Sequence, residues 1–443
     1  MKTSLSRADL DRIAGPVRAA NAAFAARYPG ERADRQPVHT FYGGAHLFRA
    51  DTTRKLGQVA VRALDEHAGT DEEFARAFLL PGHLATSVRA RVAEKLKAEP
   101  VEDLRVDFED GYGSRPDAEE DGHAVACARE AATALDAGTM APFFGIRIKS
   151  MTEETRERAL RTLDVFLSEL LDGGVVPPSF VITLPKLQVP EHGAALADAL
   201  DLLEGRLGLT AGTLRCEVMI EQTQAVIDAK GCVAIPSLVA STRGRCVGAH
   251  LGTYDYTASC GITAAHQHMA HPACDFVKHA MQASLAGTGV WLSDGATNAM
   301  PVGDREAVHA AWRLQASHVR HSLIGGFYQG WDLHPAQLVA RYAAVYTFYV
   351  EALPAATARL TAFVAKAAQA TLVGDVFDDA ATGQGLLNFF LRGLGCGAIS
   401  EAEATATGLT VDEIRSRSFA KILAGRRGGS VVTRDPTSAG QKQ

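Results

Sequence analysis

Paired cysteines are missing from this chain. The seven cysteines (127, 216, 232, 246, 260, 274 and 396) are odd in number and scattered, and none forms a C-x-x-C pair. That spacing argues against a disulfide framework or a zinc ribbon and fits a reducing cytoplasm. An excess of positive charge is missing too. Acidic residues number 51 against 45 basic ones, a formal net charge of −6, whereas binding to a phosphate backbone rests on clustered Lys and Arg. Nucleic acid is not an expected partner. The opening residues, Met1 to Leu10, have no apolar signal core, and no later apolar run reaches the roughly 18 residues of a spanning helix. A soluble protein with no membrane partner is expected. No Gly-x-Gly-x-x-Gly follows the first strand pattern, and Gly295-Ala-Thr-Asn298 and Gly325-Gly326 lack the Lys-Ser/Thr of a phosphate loop. Neither a bound nucleotide nor a serine nucleophile elbow is therefore supported.

What the chain does have is alternation. Residues 5–28 are Ala-rich, with Leu10, Ile13, Val17 and Phe24 near helical spacing, and predict an amphipathic helix ending at Pro29-Gly30. Eight short apolar runs follow: His39–Phe48, Arg105–Glu109, Phe143–Ile148, Phe180–Leu184, Cys216–Glu221, Arg245–Leu251, Thr288–Leu292 and Gly326–Leu333. Most are separated by Ala/Arg/Glu-rich helical stretches. Eight strand–helix repeats predict a (β/α)8 TIM barrel, whose doubly buried strands read as continuous apolar runs. The expected organisation is an N-terminal helical segment (1–38), a TIM-barrel catalytic domain (39–340), a C-terminal helical extension (341–428) with a turn at Gly393–Gly397, and a disordered tail (429–443).

Chemistry concentrates where these strands run out. In Asp107-Phe108-Glu109 the period-two geometry of a strand sends both acids inward and Phe108 outward. Asp110 follows before Gly111, which leaves a capping cluster as the structural alternative. Arg147 closes Phe143-Phe-Gly-Ile-Arg; its planar fork suits a substrate carboxylate, or equally the Asp107/Glu109 pair. Glu221 ends one strand run, and Asp255 follows a Gly-rich approach, Val247-Gly-Ala-His-Leu-Gly252, whose backbone N–H groups are able to face an anion; Gly252, Thr253 and Tyr254 are the candidate substrate contacts. Two carboxylates from successive strands leave coordination positions open for water and a chelating 2-oxo acid, as Mg²⁺ sites do. Such a metal would polarise a carbonyl and stabilise an enolate. His266-Gln-His268-Met-Ala-His271 has neither H-E-x-x-H spacing nor cysteines beside it and reads as a loop or helix surface.

Taken together, Val106-Asp-Phe-Glu-Asp110, Gly145-Ile-Arg147, Leu184-Pro-Lys186, Ile220-Glu221, Gly252-Thr-Tyr-Asp255-Tyr and Gly326-Phe-Tyr-Gln-Gly-Trp-Asp-Leu-His334-Pro-Ala-Gln337 resemble, in order and spacing, the citrate lyase β-subunit/malyl-CoA lyase/malate synthase superfamily. The resemblance covers about residues 40–340. It implies that Glu221 and Asp255 bind Mg²⁺, that Arg147 holds the substrate, and that Asp107, Glu109 and Asp110 sit near the metal's waters. A second stretch, Val376-Phe-Asp378-Asp379-Ala-Ala-Thr382, is similar to the malate synthase element whose Asp removes a proton from an acetyl group. It implies Asp379 as catalytic base, with a helix N-cap as the alternative. The first strand departs from the family, with Tyr42-Gly-Gly-Ala-His46-Leu-Phe-Arg49 in place of an Arg-Ser…Phe-x-Pro-Gly segment, and no motif locates coenzyme A contacts.

The expected function is a Mg²⁺-dependent carbon–carbon lyase or aldolase, acting on a 2-oxo acid or its adduct and forming a homo-oligomer in the cytoplasm. The alternatives are a Claisen-type acyltransferase using an acyl-CoA, and a non-catalytic binding or regulatory barrel.

Overall fold

The computed structural model describes residues 3–32, 34–373, 380–419 and 421–422. Eight parallel strands close into a barrel in chain order. They are β1 (His39–Gly44), β2 (Asp103–Asp107), β3 (Phe143–Arg147), β4 (Phe180–Leu184), β5 (Arg215–Ile220), β6 (Cys246–Leu251), β7 (Trp291–Ala296) and β8 (Gln329–Asp332), with helices between them. The ring shuts where His39 of β1 pairs with Gly330 of β8. This is the expected TIM barrel.

Outward positions such as Leu104, Val106, Phe144, Ile146, Ile182, Val218 and Ile220 are fully buried against the surrounding helices. The inward positions are far more polar than the Val, Ile and Leu usual in such barrels. Arg105, with no exposed surface, donates to Asp103 and Glu217, each at 2.8 Å. His250 Nε2 lies 3.0 Å from Glu217, while its Nδ1 accepts from Trp331 Nε1 at 3.1 Å. An Nδ1 that accepts leaves the neutral ring's proton on Nε2, facing the carboxylate. Arg105 and His250 outweigh burial and hold the Glu217 carboxyl at about 2.

Several expectations shift. The second strand, expected at Arg105–Glu109, is Asp103–Asp107, so Phe108 and Glu109 fall beyond it, and the eighth is Gln329–Asp332 rather than Gly326–Leu333. The run His39–Phe48 is a strand only to Gly44, after which Ala45–Leu47 turns as a 3₁₀ helix. The seventh strand is Trp291–Ala296 rather than Thr288–Leu292, because polar Ser293-Asp294-Gly295 belongs to it. Asp294 faces the helices, where Lys278 (3.1 Å) and Ser322 (2.6 Å) satisfy it. Gly393 lies inside the helix Ala380–Cys396 rather than in a turn. A Cβ there would come within 2.5 Å of Ile399, so this glycine permits close packing; the left-handed cap is Gly397, at φ 79°. Finally, the helix Arg7–Arg27 buries none of its residues, and Leu10, Ile13, Val17 and Phe24 are all exposed.

Candidate active site at the barrel mouth

The C-terminal strand ends surround a cavity of about 750 Å³ whose lining includes Tyr42, Asp107, Asp110, Arg147, Glu221, Thr253, Asp255 and Trp331. Its floor is partly apolar, where Tyr42, Met219, Ala296 and Trp331 pack together.

Asp107 ends β2. Its carboxylate accepts from Arg147 Nε at 2.7 Å and Nη2 at 2.5 Å, and from the backbone N–H groups of Glu109 (2.9 Å) and Gly111 (2.7 Å). With four donors, Asp107 is consumed in building the site. The Arg147 partnership is therefore realised, whereas the acids brace a turn and cap no helix, since the next helix, Asp117–Asp136, starts at Pro116 without a side-chain cap. Arg147 spends one edge of its fork on Asp107, so that edge cannot clamp a substrate. Nη1 remains at the other edge, 3.3 Å from Glu109, and the guanidinium lies 4.7 Å over the Tyr42 ring, a cation–π contact.

Lys186, in the motif after β4, was assigned no role from sequence. It adopts a left-handed φ of 51°, uncommon outside glycine. From there its ammonium bonds Glu109 and lies 3.0 Å from Asp110 and 4.0 Å from Asp255. Burial would lower its pKa, but Glu109 outweighs burial and the ammonium is held above its ordinary value. An amine nucleophile requires a depressed pKa, the opposite of the direction in which Lys186 is held. Burial raises Glu109 above the usual carboxylate range. Asp110 goes the other way, because Lys186 overcomes burial and lowers it.

Glu221 follows β5. The register pairs Ile220 with Leu251, which sets Glu221 beside Gly252, and Asp255 comes one helical turn later in Thr253–Ser259. Glu221 is 1 % exposed and accepts from the Lys186 backbone N–H at 2.5 Å. Burial, and then the nearby Asp255, push its carboxyl up to about 8. The Gly252 N–H donates to Ile220 at 3.1 Å, so Gly252 is corrected from anion donor to spacer. A Cβ at position 252 would sit 2.3 Å from Glu221 Oε2 and 2.4 Å from its Cβ. Tyr254 is similarly occupied, donating to the Ala296 carbonyl (3.1 Å) and accepting from the Asn298 N–H (2.8 Å). Thr253 Oγ1 is buried with no hydrogen-bond partner among the described residues, beside the cavity it lines. Gly252→Ala is expected to displace Glu221 by about 1 Å and cut turnover about a hundredfold. Near-parental thermal stability together with parental kinetics would remove the spacer role.

The motif His334-Pro-Ala-Gln337 stitches the rim. Gln337 Oε1 accepts from the Leu333 N–H (2.8 Å) and the His334 N–H (3.2 Å), and its amide donates to the carbonyls of Thr297 (2.8 Å) and Ala299 (3.1 Å). Away from the mouth, His266 lies in a 3₁₀ turn, His268 stacks on His318 and His271 caps the helix Pro272–Leu285. Asp378 and Asp379 lie outside the described residues.

Among the described residues, no three His, Cys, Asp or Glu side chains converge into a closed metal cage. Mg²⁺ does not require one, since it keeps several waters and uses one or two carboxylates. No helix among the described residues is long and apolar enough to cross a membrane.

Compared by sequence with curated proteins, the chain finds no match. Solved structures it resembles include the malate synthase of Haloferax volcanii in its lead(II) complex, with 17% identity over 71% of this chain and 74% of that one and a TM-score of 0.46. Another is the protein CitE of Mycobacterium tuberculosis with magnesium and acetate, with 14% identity over 71% and 92% and a TM-score of 0.40. A third is an HpcH/HpaI aldolase/citrate lyase family protein of Burkholderia cenocepacia, with 13% identity over 75% and 99% and a TM-score of 0.37. Residues 17–422 match the model of the family described as Domain of unknown function (DUF6986), and the chain belongs to that family.

Proposed function

We propose that the barrel, residues 39–340, is a Mg²⁺-dependent carbon–carbon lyase or aldolase acting on a 2-oxo acid or its adduct. The observation behind this reading is an imbalance of charge. Five carboxylates (Asp107, Glu109, Asp110, Glu221 and Asp255) meet Arg147 and Lys186 around one mouth, and two further cations lining the cavity are engaged with other acids, Lys55 with Asp51 at 2.9 Å and Arg105 with Asp103 and Glu217 at 2.8 Å. The imbalance is sharpest at Glu221, which is buried, faces Asp255 and has its proton affinity raised. A hard divalent cation suits that donor set, with Glu221 and Asp255 as its protein ligands. When bound, it would supply a Lewis acid that polarises the 2-oxo carbonyl and stabilises enolate charge.

The chain's own residues do the rest. Arg147 Nη1, braced by Asp107 at the opposite edge, is the donor for the substrate carboxylate. Lys186 fixes Glu109 and Asp110 and offsets their charge, keeping them as acceptors for water or substrate hydroxyls. Tyr42 and Trp331 give the substrate an apolar wall and limit water. Arg147→Lys keeps a charge but loses the two-edged geometry. It should raise KM for the oxo acid about tenfold or more, the loss of roughly one charge-assisted hydrogen bond, with a smaller change in kcat. Unaltered saturation with every oxo acid tested would exclude this role.

The function is tested by proton exchange. Pyruvate incubated with the protein in D₂O should lose its methyl proton signal only with Mg²⁺ present, and candidate adducts should release glyoxylate or pyruvate. Neither exchange nor cleavage across a panel of adducts would refute it. Release of free coenzyme A from an acyl-CoA plus glyoxylate, lost in Asp379→Asn, would instead select the acyltransferase.

A further inference from the structure

A larger cavity, about 1130 Å³, lies at the opposite end of the barrel. It is walled by residues that lead into β1, β7 and β8 and by the C-terminal helices. That volume exceeds the usual range of small-molecule pockets, although the N-terminal face of such barrels ordinarily serves stability. Two guanidiniums meet there. Arg392 lies flat over Tyr328 at 4.0 Å, with Nη1 donating to Gln36 Oε1 at 2.7 Å and Nη2 3.5 Å from Glu31.

Arg417, just beyond the helix Val411–Arg415, is held differently. It has a left-handed φ of 52°, and its buried Nε has no hydrogen-bond partner among the described residues. Among the described residues its guanidinium has no ion pair. Burial, and then the neighbouring Arg392, lower its pKa, while Glu31 and Asp34 offset this only in part. A strained backbone thus presents a cation with no ion pair among the described residues to a second cation across a roomy, aromatic-lined space.

We propose that this cavity binds a small organic oxyanion, its phosphate or carboxylate group held between Arg392 and Arg417 and its body against the aromatic wall at Tyr328 and Trp291. Planar guanidiniums suit both groups, because each offers oxygens at fork spacing. The site is independent of the chemistry at the mouth.

Titration calorimetry on the full chain, at constant ionic strength, tests the site with inorganic pyrophosphate and with citrate, the two arms distinguishing phosphate from carboxylate. Saturable binding of at least one probe is expected, weakened about tenfold or more by Arg417→Gln, the loss of roughly one charge-assisted hydrogen bond. Arg147→Lys, at the mouth, should leave it unchanged. Among the described residues Arg417 has no ion-pair partner to lose, so its variant should fold and, without anion, melt no lower than the parent. The proposal is overturned by absence of saturable binding with both probes, by equal binding in Arg417→Gln, or by binding lost in Arg147→Lys instead.

Discussion

Glu221→Gln is expected to lower turnover about a thousandfold or more while the protein stays at least as stable as the parent. The kinetic loss corresponds to several kcal/mol of charge stabilisation at the reacting carbonyl. The stability follows from the same geometry. Glu221 sits buried beside Asp255, and burial and that neighbour hold its carboxyl at about 8. An amide keeps an oxygen for the Lys186 N–H and brings no charge into a desolvated place. The sign can be read from pH. A carboxyl raised in the folded state opposes folding once pH exceeds its unfolded value of roughly 4.3. Without metal, the variant should therefore gain stability over the parent from about that pH up to about 8. Parental turnover in Glu221→Gln at limiting Mg²⁺ would sink the ligand assignment.

Asp332→Ala is expected to destabilise the fold by about 3–5 kcal/mol, the cost of leaving a buried charge unpaired. Asp332 ends β8 facing outward and has no exposed surface. It accepts from Arg341 Nη2 at 3.0 Å and Gln315 Nε2 at 2.7 Å, with His39 Nδ1 at 3.1 Å. Arg341 is itself 3 % exposed and lies early in the helix Gln337–Val373, so this cluster seats the helix on the barrel. Arg341 and His39 outweigh burial and hold the Asp332 carboxyl at about 2. That is below the roughly 3.9 of an unfolded Asp, so its contribution is present above about pH 4 and fades as pH falls toward 2. Urea midpoints of parent and variant should therefore differ at pH 7 and converge in acid; equal midpoints at pH 7 would refute the cluster's role.

The barrel was legible because doubly buried strands leave continuous apolar runs. Phe180-Val-Ile-Thr-Leu184 is read from sequence residue for residue. β7 was displaced because Asp294 and Gly295 look like a turn until Lys278 and Ser322 are seen to satisfy the acid. At the mouth, Glu221 and Asp255 could be picked out as acids where strands end. Lys186 could not, since its reach to Glu109 and Asp110 depends on a left-handed backbone angle that no local pattern announces. The partner of Arg147 was one of two sequence alternatives. Only the fold decides it, by register, since Asp107 and Arg147 are opposed residues of β2 and β3. Arg105, Asp103 and Glu217 were missed as a unit because their pairing crosses the barrel.

The most direct test of the acid pair is a crystal grown with Mn²⁺ and pyruvate, with anomalous scattering used to locate the metal. One strong peak between the Glu221 and Asp255 carboxylates, with pyruvate beside Arg147, is the predicted result. No peak at the mouth, with the Lys186 ammonium alone among the acids, would contradict it.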